Sequence, residues 1–407
     1  MWKKRRVNYK HDKVSYNHEL SSSVLETIQR YTKIRDPFGY SGRPMKSNPL
    51  CSFLKKCLKK IRKFITFSPN SYGYYKNIID YLNDSDTILL GKEIRDGYWD
   101  KYDPNNKKEY INKYKSVIGY HEDIKASYRV NDISSTDKEG ISIIELEDRF
   151  RLPFEVYKGM PISTKAKGII IAIHGRYSGA EYVMGMVKKS DYNRDCGKKW
   201  LQNGHIVYAP QIEPKGIISG YDRLNYSNVG ADVARVMDLI RYIDENEDRV
   251  LPLIIAGISY GGHIAEIVGI LSDRVDVIMS IGAMARGDFF ERLLNGWDTV
   301  ELNDYPFDSF VSPGFNFYYH GVGTFKLLAP KPLIVSIGTH DFGEEKFKHI
   351  FEAVEYYREK GYGKRIGLNV YYGGHEVDAD GDYFALQEFE TNGTIKTVVS
   401  NRLKRET

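Results

Sequence analysis

From residue 168 onward the chain repeats one alternation. A short unbroken apolar run is followed by a longer segment whose apolar residues recur every three or four positions. The runs are GIIIAIHG (168–175), HIVYAPQ (205–211), LPLIIAG (251–257), VDVIMSIG (275–282), KPLIVSIG (331–338) and RIGLNVYYGG (365–374). Ile/Val runs without polar alternation predict strands buried on both faces, which is the pattern of a parallel sheet. Segments such as GADVARVMDLIRYIDEN and EKFKHIFEAVEYYREKG carry the helical period between them. Strand–helix alternation of this length predicts right-handed crossovers and an α/β fold built on a mostly parallel, doubly wound sheet.

The pattern upstream is different. ASYRVND, ISIIELE and RLPFEVYKG are short, β-branched or aromatic, and divided by turn signals such as STDKEG, so they predict a small antiparallel or mixed edge. Residues 1–120 are polar, basic and irregular, with helical patches at SSVLETIQRYTKI and YYKNIIDYLN. They read as a mainly helical N-terminal extension to an α/β domain at 121–407. A long insertion, 287–328, separates VDVIMSIG from KPLIVSIG and is rich in Phe, Tyr and Trp. Structureless connections of this length are uncommon, so it is expected either as a lid or pocket wall, or as an extra helical layer on the sheet. Its Phe289, Phe290, Trp297, Phe315, Phe317, Tyr318, Tyr319 and Phe325 would suit the flat apolar faces of sugars or aromatic groups.

Composition narrows the classes. With 42% hydrophobic residues in 407, the chain has enough apolar material for a large core. A net charge of +5 does not call for a nucleic-acid partner. The three cysteines include no C-x-x-C, so neither a disulfide framework nor a zinc site is expected. No metal or organic cofactor is expected either. The start, MWKKRRVNYKHDKVSYN, has a basic flank but no apolar stretch behind it, and no run of 18 apolar residues occurs. A soluble cytoplasmic protein is the expectation, and the oligomeric state is not encoded. CSFLKKCLKKIRKFITF (51–67) is a basic amphipathic segment. It would either pack its apolar stripe on the α/β domain, the favoured reading, or lie on an anionic membrane surface.

The candidate chemistry sits at the end of the third apolar run. Gly257-Ile258-Ser259-Tyr260-Gly261 matches G-x-S-x-G. Glycine-rich chains produce such matches by chance, but here the motif closes an apolar strand and opens a helix with small residues on both sides. A serine in that sharp turn stands above the carboxyl end of its strand, where open α/β sheets bind ligands. Its flanking glycines let the turn close without Cβ clashes. The alternative is a serine that merely caps the following helix. Two further polar residues follow later strand ends: Asp341 in THDFG and His375 in VYYGGHEV.

With these motifs in this order the sequence resembles the α/β-hydrolase superfamily, nearest to dienelactone hydrolase-like and acetyl-xylan-esterase-like members. The resemblance covers residues from about 125 to 390 and leaves the first 120 untouched. It implies a serine hydrolase acting on a carboxylic ester; the His-Gly-x loop and the aromatic-rich insertion point to a short acyl group on carbohydrate or another small molecule. It implies Ser259 as nucleophile, His375 as general base and Asp341 as the carboxylate that orients the imidazole. Asp288 in MARGD is the rival acid and His340 a weaker rival base. The oxyanion hole would use the backbone N–H of Tyr260 and, from the loop after GIIIAIHG, that of Arg176, with Tyr177 as the near alternative. The loop reads His174-Gly175-Arg176-Tyr177, a departure from the HGGG of many lipases that argues against bulky tertiary-alcohol esters. Peptide hydrolysis, acyl transfer and a non-catalytic binding protein on the same fold stay open as alternatives.

Overall fold

The computed structural model describes residues 95–118, 126–134, 140–162, 165–176, 178–188, 191–212, 228–283, 322–341 and 345–399, with a few single positions besides (163–164 and 177 among those left out). The basic segment 51–67, most of the insertion 287–328 and Asp288 lie outside the described residues.

The six apolar runs all form strands, joined by four that the run pattern alone does not set. The strands are β1 (Arg129–Ile133), β2 (Ile141–Glu147), β3 (Pro153–Gly159), β4 (Ile169–Ile173), β5 (Ile206–Pro210), β6 (Leu253–Ile258), β7 (Val277–Ile281), β8 (Leu333–Gly338), β9 (Ile366–Tyr371) and β10 (Val398–Val399). They make one ten-stranded sheet in the order β1-β2-β3-β5-β4-β6-β7-β8-β9-β10. The pairs β1/β2, β2/β3 and β3/β5 are antiparallel, and every pair from β5 to β10 is parallel. This is the mostly parallel α/β sheet with an antiparallel edge that the patterning predicts.

Helices cover both faces. They are α1 (Lys107–Ile118), α2 (Ala180–Val183), α3 (Cys196–Gln202), α4 (Asn228–Asn246), α5 (Tyr260–Leu271), α6 (Val322–Leu328), α7 (Glu345–Glu359) and α8 (Ala379–Asn392). Alternate residues of each central strand feed opposite layers, as the two-residue strand period requires. Ile169, Ile171 and Ile173 join the core under α1, α4, α5, α6 and α7, while Ile170 and Ala172 join the one under α2, α3 and α8. Both faces are therefore apolar, which is why the strands read as unbroken Ile/Val runs.

Two buried ion pairs lock the antiparallel edge to α4. The Arg149 guanidinium donates to the Asp238 carboxylate at 2.7 Å, and that of Arg235 to Asp148 at 3.1 Å. Both pairs are almost wholly excluded from water, so breaking either by removing one partner would leave an uncompensated buried charge. Trp99, Tyr110, Tyr114 and Ile118, upstream of the expected boundary at residue 120, share the core of the α/β sheet. Trp99 lies against α6, where a Cβ on Gly323 would stand 2.3 Å from its ring. One insertion aromatic departs from the expected pocket wall. Phe325 is 2% exposed and packs in the core on α6, because that stretch is a helix facing the sheet rather than a wall facing solvent.

The topology itself marks a crevice. The chain leaves β4 for β5 on one side and then returns through α4 to β6 on the other, so the strand order reverses between β4 and β6. Loops leaving the carboxyl ends of two such strands part in opposite directions, and ligands bind in the gap between them.

Candidate active site

Ser259 stands at that gap. It is half-buried, follows the last residue of β6, and has φ 58° and ψ −118°, a backbone region that β-carbon sterics make costly by about 1–3 kcal/mol for a serine. Its neighbours hold it there. The Ser259 N–H donates to the Ile281 carbonyl at 2.8 Å, and its own carbonyl accepts the first bond of α5 from His263 N–H at 3.1 Å. The side chain makes no capping hydrogen bond to α5, which removes the capping alternative.

The glycines around it are sterically required. A Cβ on Gly257 would lie 2.2 Å from the Gly261 carbonyl oxygen. One on Gly261 would lie 2.4 Å from the carbonyl oxygen of His174, and one on Gly262 would lie 2.6 Å from the Ala283 methyl. The first turn of α5 is thus pressed against the ends of β4 and β7. A strained serine between strand and helix, at the switch point of a mostly parallel sheet, is the nucleophile-elbow arrangement.

The fold is that of an α/β-hydrolase.

Asp341 and His375 come together as expected. Asp341 follows β8, is 1% exposed, and both its carboxylate oxygens lie within reach of His375 Nδ1, at 2.9 and 3.0 Å. A carboxylate only accepts hydrogen bonds, so the Nδ1 proton faces Asp341 and Nε2 is left as the basic nitrogen. Gly282 fixes where the pair sits. It follows Ile281, has φ 59°, and a Cβ on it would lie 3.0 Å from both Asp341 Oδ2 and His375 Nδ1. Ile281 is the register partner of Ile258, the residue before Ser259. The imidazole therefore lies over the end of β7, the strand paired with the β6 that leads into Ser259.

The loops carrying the two residues are bonded to each other. His340 N–H donates to the Gly373 carbonyl and Thr339 N–H to that of Tyr371, each at 2.9 Å. Tyr371, whose hydroxyl donates to the Glu376 carbonyl, is fully buried, which pushes its pKa well up and keeps it a neutral donor. The rival base is turned elsewhere: the His340 ring packs edge-on against Tyr372 at 4.7 Å and its Nδ1 meets Thr339 Oγ1 at 3.0 Å.

Arg176 and Tyr260 also meet. The Arg176 guanidinium stacks over the Tyr260 ring at 5.3 Å, and the Tyr260 hydroxyl donates to buried Asp232 at 2.7 Å. One residue missed at the sequence level is His174. Ile212 N–H donates to its Nε2 at 3.1 Å, so Nδ1 carries the proton and donates to the Gly175 carbonyl at 2.8 Å. In a trans peptide the N–H points opposite to the C=O, so this bond fixes the direction of the Arg176 N–H. Burial lowers the His174 pKa and keeps the ring neutral in this role. Tyr192 is the other missed residue. It lies in an irregular turn, DYNRD, with no motif to mark it.

No family model matches the sequence, and no curated protein matches it. Similar solved structures include a putative acetyl xylan esterase from Bacteroides fragilis, at 13% identity over 66% of this chain and 76% of that one, TM-score 0.48. A carbohydrate esterase family 15 glucuronoyl esterase from Caldicellulosiruptor kristjansonii shares 15% identity over 71% of this chain and 86% of that one, TM-score 0.49. A glucuronoyl esterase from Solibacter usitatus shares 14% over 72% and 92%, TM-score 0.49.

Among the described residues no cluster of three or more His, Cys, Asp or Glu is arranged to hold a metal. No helix among them is long and apolar enough to cross a membrane.

Proposed function

We propose that this protein is a serine esterase that cleaves a small carboxylic ester through an acyl-enzyme on Ser259. The observation that carries the reading is the His375–Asp341 pair lying over Gly282, one strand from a strained, non-capping serine.

In this mechanism Ser259 Oγ attacks the ester carbonyl carbon while His375 Nε2 takes its proton. Asp341 holds the Nδ1–H and stabilises the imidazolium that forms. Charge gathering on the carbonyl oxygen is met by the backbone N–H groups of Tyr260 and Arg176. The tetrahedral species collapses as the imidazolium protonates the departing alkoxide, leaving the acyl group on Ser259. Water, deprotonated by His375, then attacks the acyl carbonyl, and collapse returns the Ser259 hydroxyl and frees the acid. No step needs a metal or an organic cofactor.

The substrate proposed is an acetyl or other short acyl ester, on carbohydrate or another small molecule. The aromatic content of 287–321 supports this reading. The proposed setting is soluble and cytoplasmic. The test is a comparison of kcat/KM for p-nitrophenyl acetate, butyrate and palmitate, an acetylated sugar and a peptide amide, in the native chain and in Ser259→Ala. Acetate turnover that falls by a factor on the order of 10⁴ or more in Ser259→Ala is expected. Preference for palmitate or the amide would overturn the substrate class, and retention of a tenth of the rate in Ser259→Ala would overturn the chemistry.

A further inference from the structure

The oxyanion loop leaves β4 and the histidine loop leaves β9, and in the sheet order these strands are separated by β6, β7 and β8. At about 4.8 Å per strand the two loops start roughly 19 Å apart, so sheet hydrogen bonding does not set their spacing. One residue touches both.

Tyr192 is joined to the histidine loop through its backbone, its carbonyl accepting from Val377 N–H at 2.8 Å. Its ring lies 5.8 Å from the His375 ring, at 30° between planes. Its hydroxyl reaches the other way and donates to the Arg176 carbonyl. Gly175 is glycine for the same reason: a Cβ there would lie 2.5 Å from the Tyr192 hydroxyl oxygen.

The flanking residues each reach one of the two loops. Asn193 is fully buried, with its amide donating to Ser178 Oγ at 2.6 Å and to the Asp191 carboxylate at 2.9 Å. Arg194 is ion-paired with Glu376, its Nε donating to Oε2 at 2.7 Å. Arg194 and Asp195 both have φ 55°, a left-handed conformation that costs a non-glycine residue free energy and persists only where its surroundings impose it.

We propose that Tyr192 is a positioning residue that clamps the oxyanion loop to the loop of the general base. The inference rests on the esterase reading above. In the transition state negative charge gathers at the Arg176 N–H and positive charge on the His375 imidazole. Tyr192 fixes the distance between these two sites before substrate arrives. Such preorganisation acts on the rate of the chemical step, since misplacement by about 1 Å costs on the order of a hundredfold. It does not contribute to ground-state binding.

The experiment is steady-state hydrolysis of p-nitrophenyl acetate by the full chain, with Tyr192→Phe, Glu376→Gln, Tyr383→Phe and Ser259→Ala. Tyr192→Phe keeps the ring against His375 and removes only the bond to Arg176. It is expected to lower kcat roughly ten- to hundredfold with KM within about twofold, and to slow phosphonylation of Ser259 by the same factor. Glu376→Gln, which loosens the Arg194 tie and leaves the Tyr192 bond in place, is expected to lower kcat by a smaller factor. Tyr383→Phe removes a tyrosine hydroxyl that only accepts from Lys167 outside the site, and is expected to keep the native kcat. A folded Tyr192→Phe enzyme with native kcat would overturn the clamp. So would a loss carried wholly by KM. Turnover that persists in Ser259→Ala would instead overturn the esterase reading and take the clamp's purpose with it.

Discussion

The two halves of the candidate site are built by different means. The nucleophile half, where β4 and β6 end, is held by backbone and by missing side chains: Gly257, Gly261 and Gly262 each occupy a place where a Cβ would meet its surroundings at 2.2–2.6 Å. The acid–base half, where β8 and β9 end, is held by directed hydrogen bonds between loops: Thr339 and His340 N–H donate to the Tyr371 and Gly373 carbonyls, and His375 Nδ1–H donates back to Asp341. These glycines sit where backbone or packed side chains leave no room for a Cβ, so changes to them act on folding. Hydrogen-bonded loops tolerate the loss of one group, so changes in the second act on rate.

The sharpest way to break this comparison is Asp341→Asn. The amide preserves shape, so the protein is expected to fold with a native melting curve while kcat falls by about 10⁴, because the imidazolium loses its partner carboxylate. Asp288→Asn is expected to keep most of the activity. If kcat ranks the two variants the other way, the acid is misassigned.

Next comes Gly257→Ala. Its Cβ would press on the carbonyl oxygen of Gly261, which is backbone and has no rotamer to relieve it. A loss of about 4 kcal/mol or more in urea unfolding is expected. A variant that unfolds at the native midpoint would show that the elbow is looser than the sterics require.

Tyr260→Phe should fall between the two regimes. It removes the 2.7 Å bond to Asp232, a residue 2% exposed that also lies 3.9 Å from the Arg235 guanidinium. Leaving a buried carboxylate one partner short is expected to cost about 1–3 kcal/mol in unfolding free energy, while KM for p-nitrophenyl acetate stays near the native value.

The sequence carried one half further than the other, for the same physical reason. Steric demands leave glycines, and glycines around a serine after an Ile/Val run are visible without coordinates. The order Ser259, Asp341, His375 was visible too, because each follows a mostly apolar strand, interrupted only by Ser336 in β8 and Asn369 in β9. Helix α3, with Cys196 and Trp200 buried, is seven residues long, too short to show a period. Helix α8 carries the mixed sequence ADGDYFALQEFETN, whose apolar residues make no clear stripe. The Tyr192 contacts join segments nearly two hundred residues apart, and no local pattern encodes such a pairing. Phe325 was misplaced because composition alone does not say which face of a helix turns inward.

The smallest effect concerns acid. Burial lowers the His174 pKa from its ordinary 6.5, so the folded chain holds that proton less readily than the unfolded one. The stability this contributes is present above pH 6.5 and is lost as the pH falls below it toward the folded value, by at most about 1.4 kcal/mol per pH unit. In His174→Gln, urea midpoints measured between pH 6.5 and 5 are expected to fall less steeply than in the native chain. An unchanged slope would show that His174 is not the group responsible.

The central claim is that Ser259 is a nucleophile activated by His375. The most direct measurement is intact-mass and peptide-mass analysis after brief exposure to a fluorophosphonate, which phosphonylates only an activated serine. The account predicts a single adduct, mapped to the peptide containing Ser259, absent in Ser259→Ala and slowed by a factor on the order of 10³ or more in His375→Ala. Labelling of another residue, or of none in the folded native chain, would contradict it.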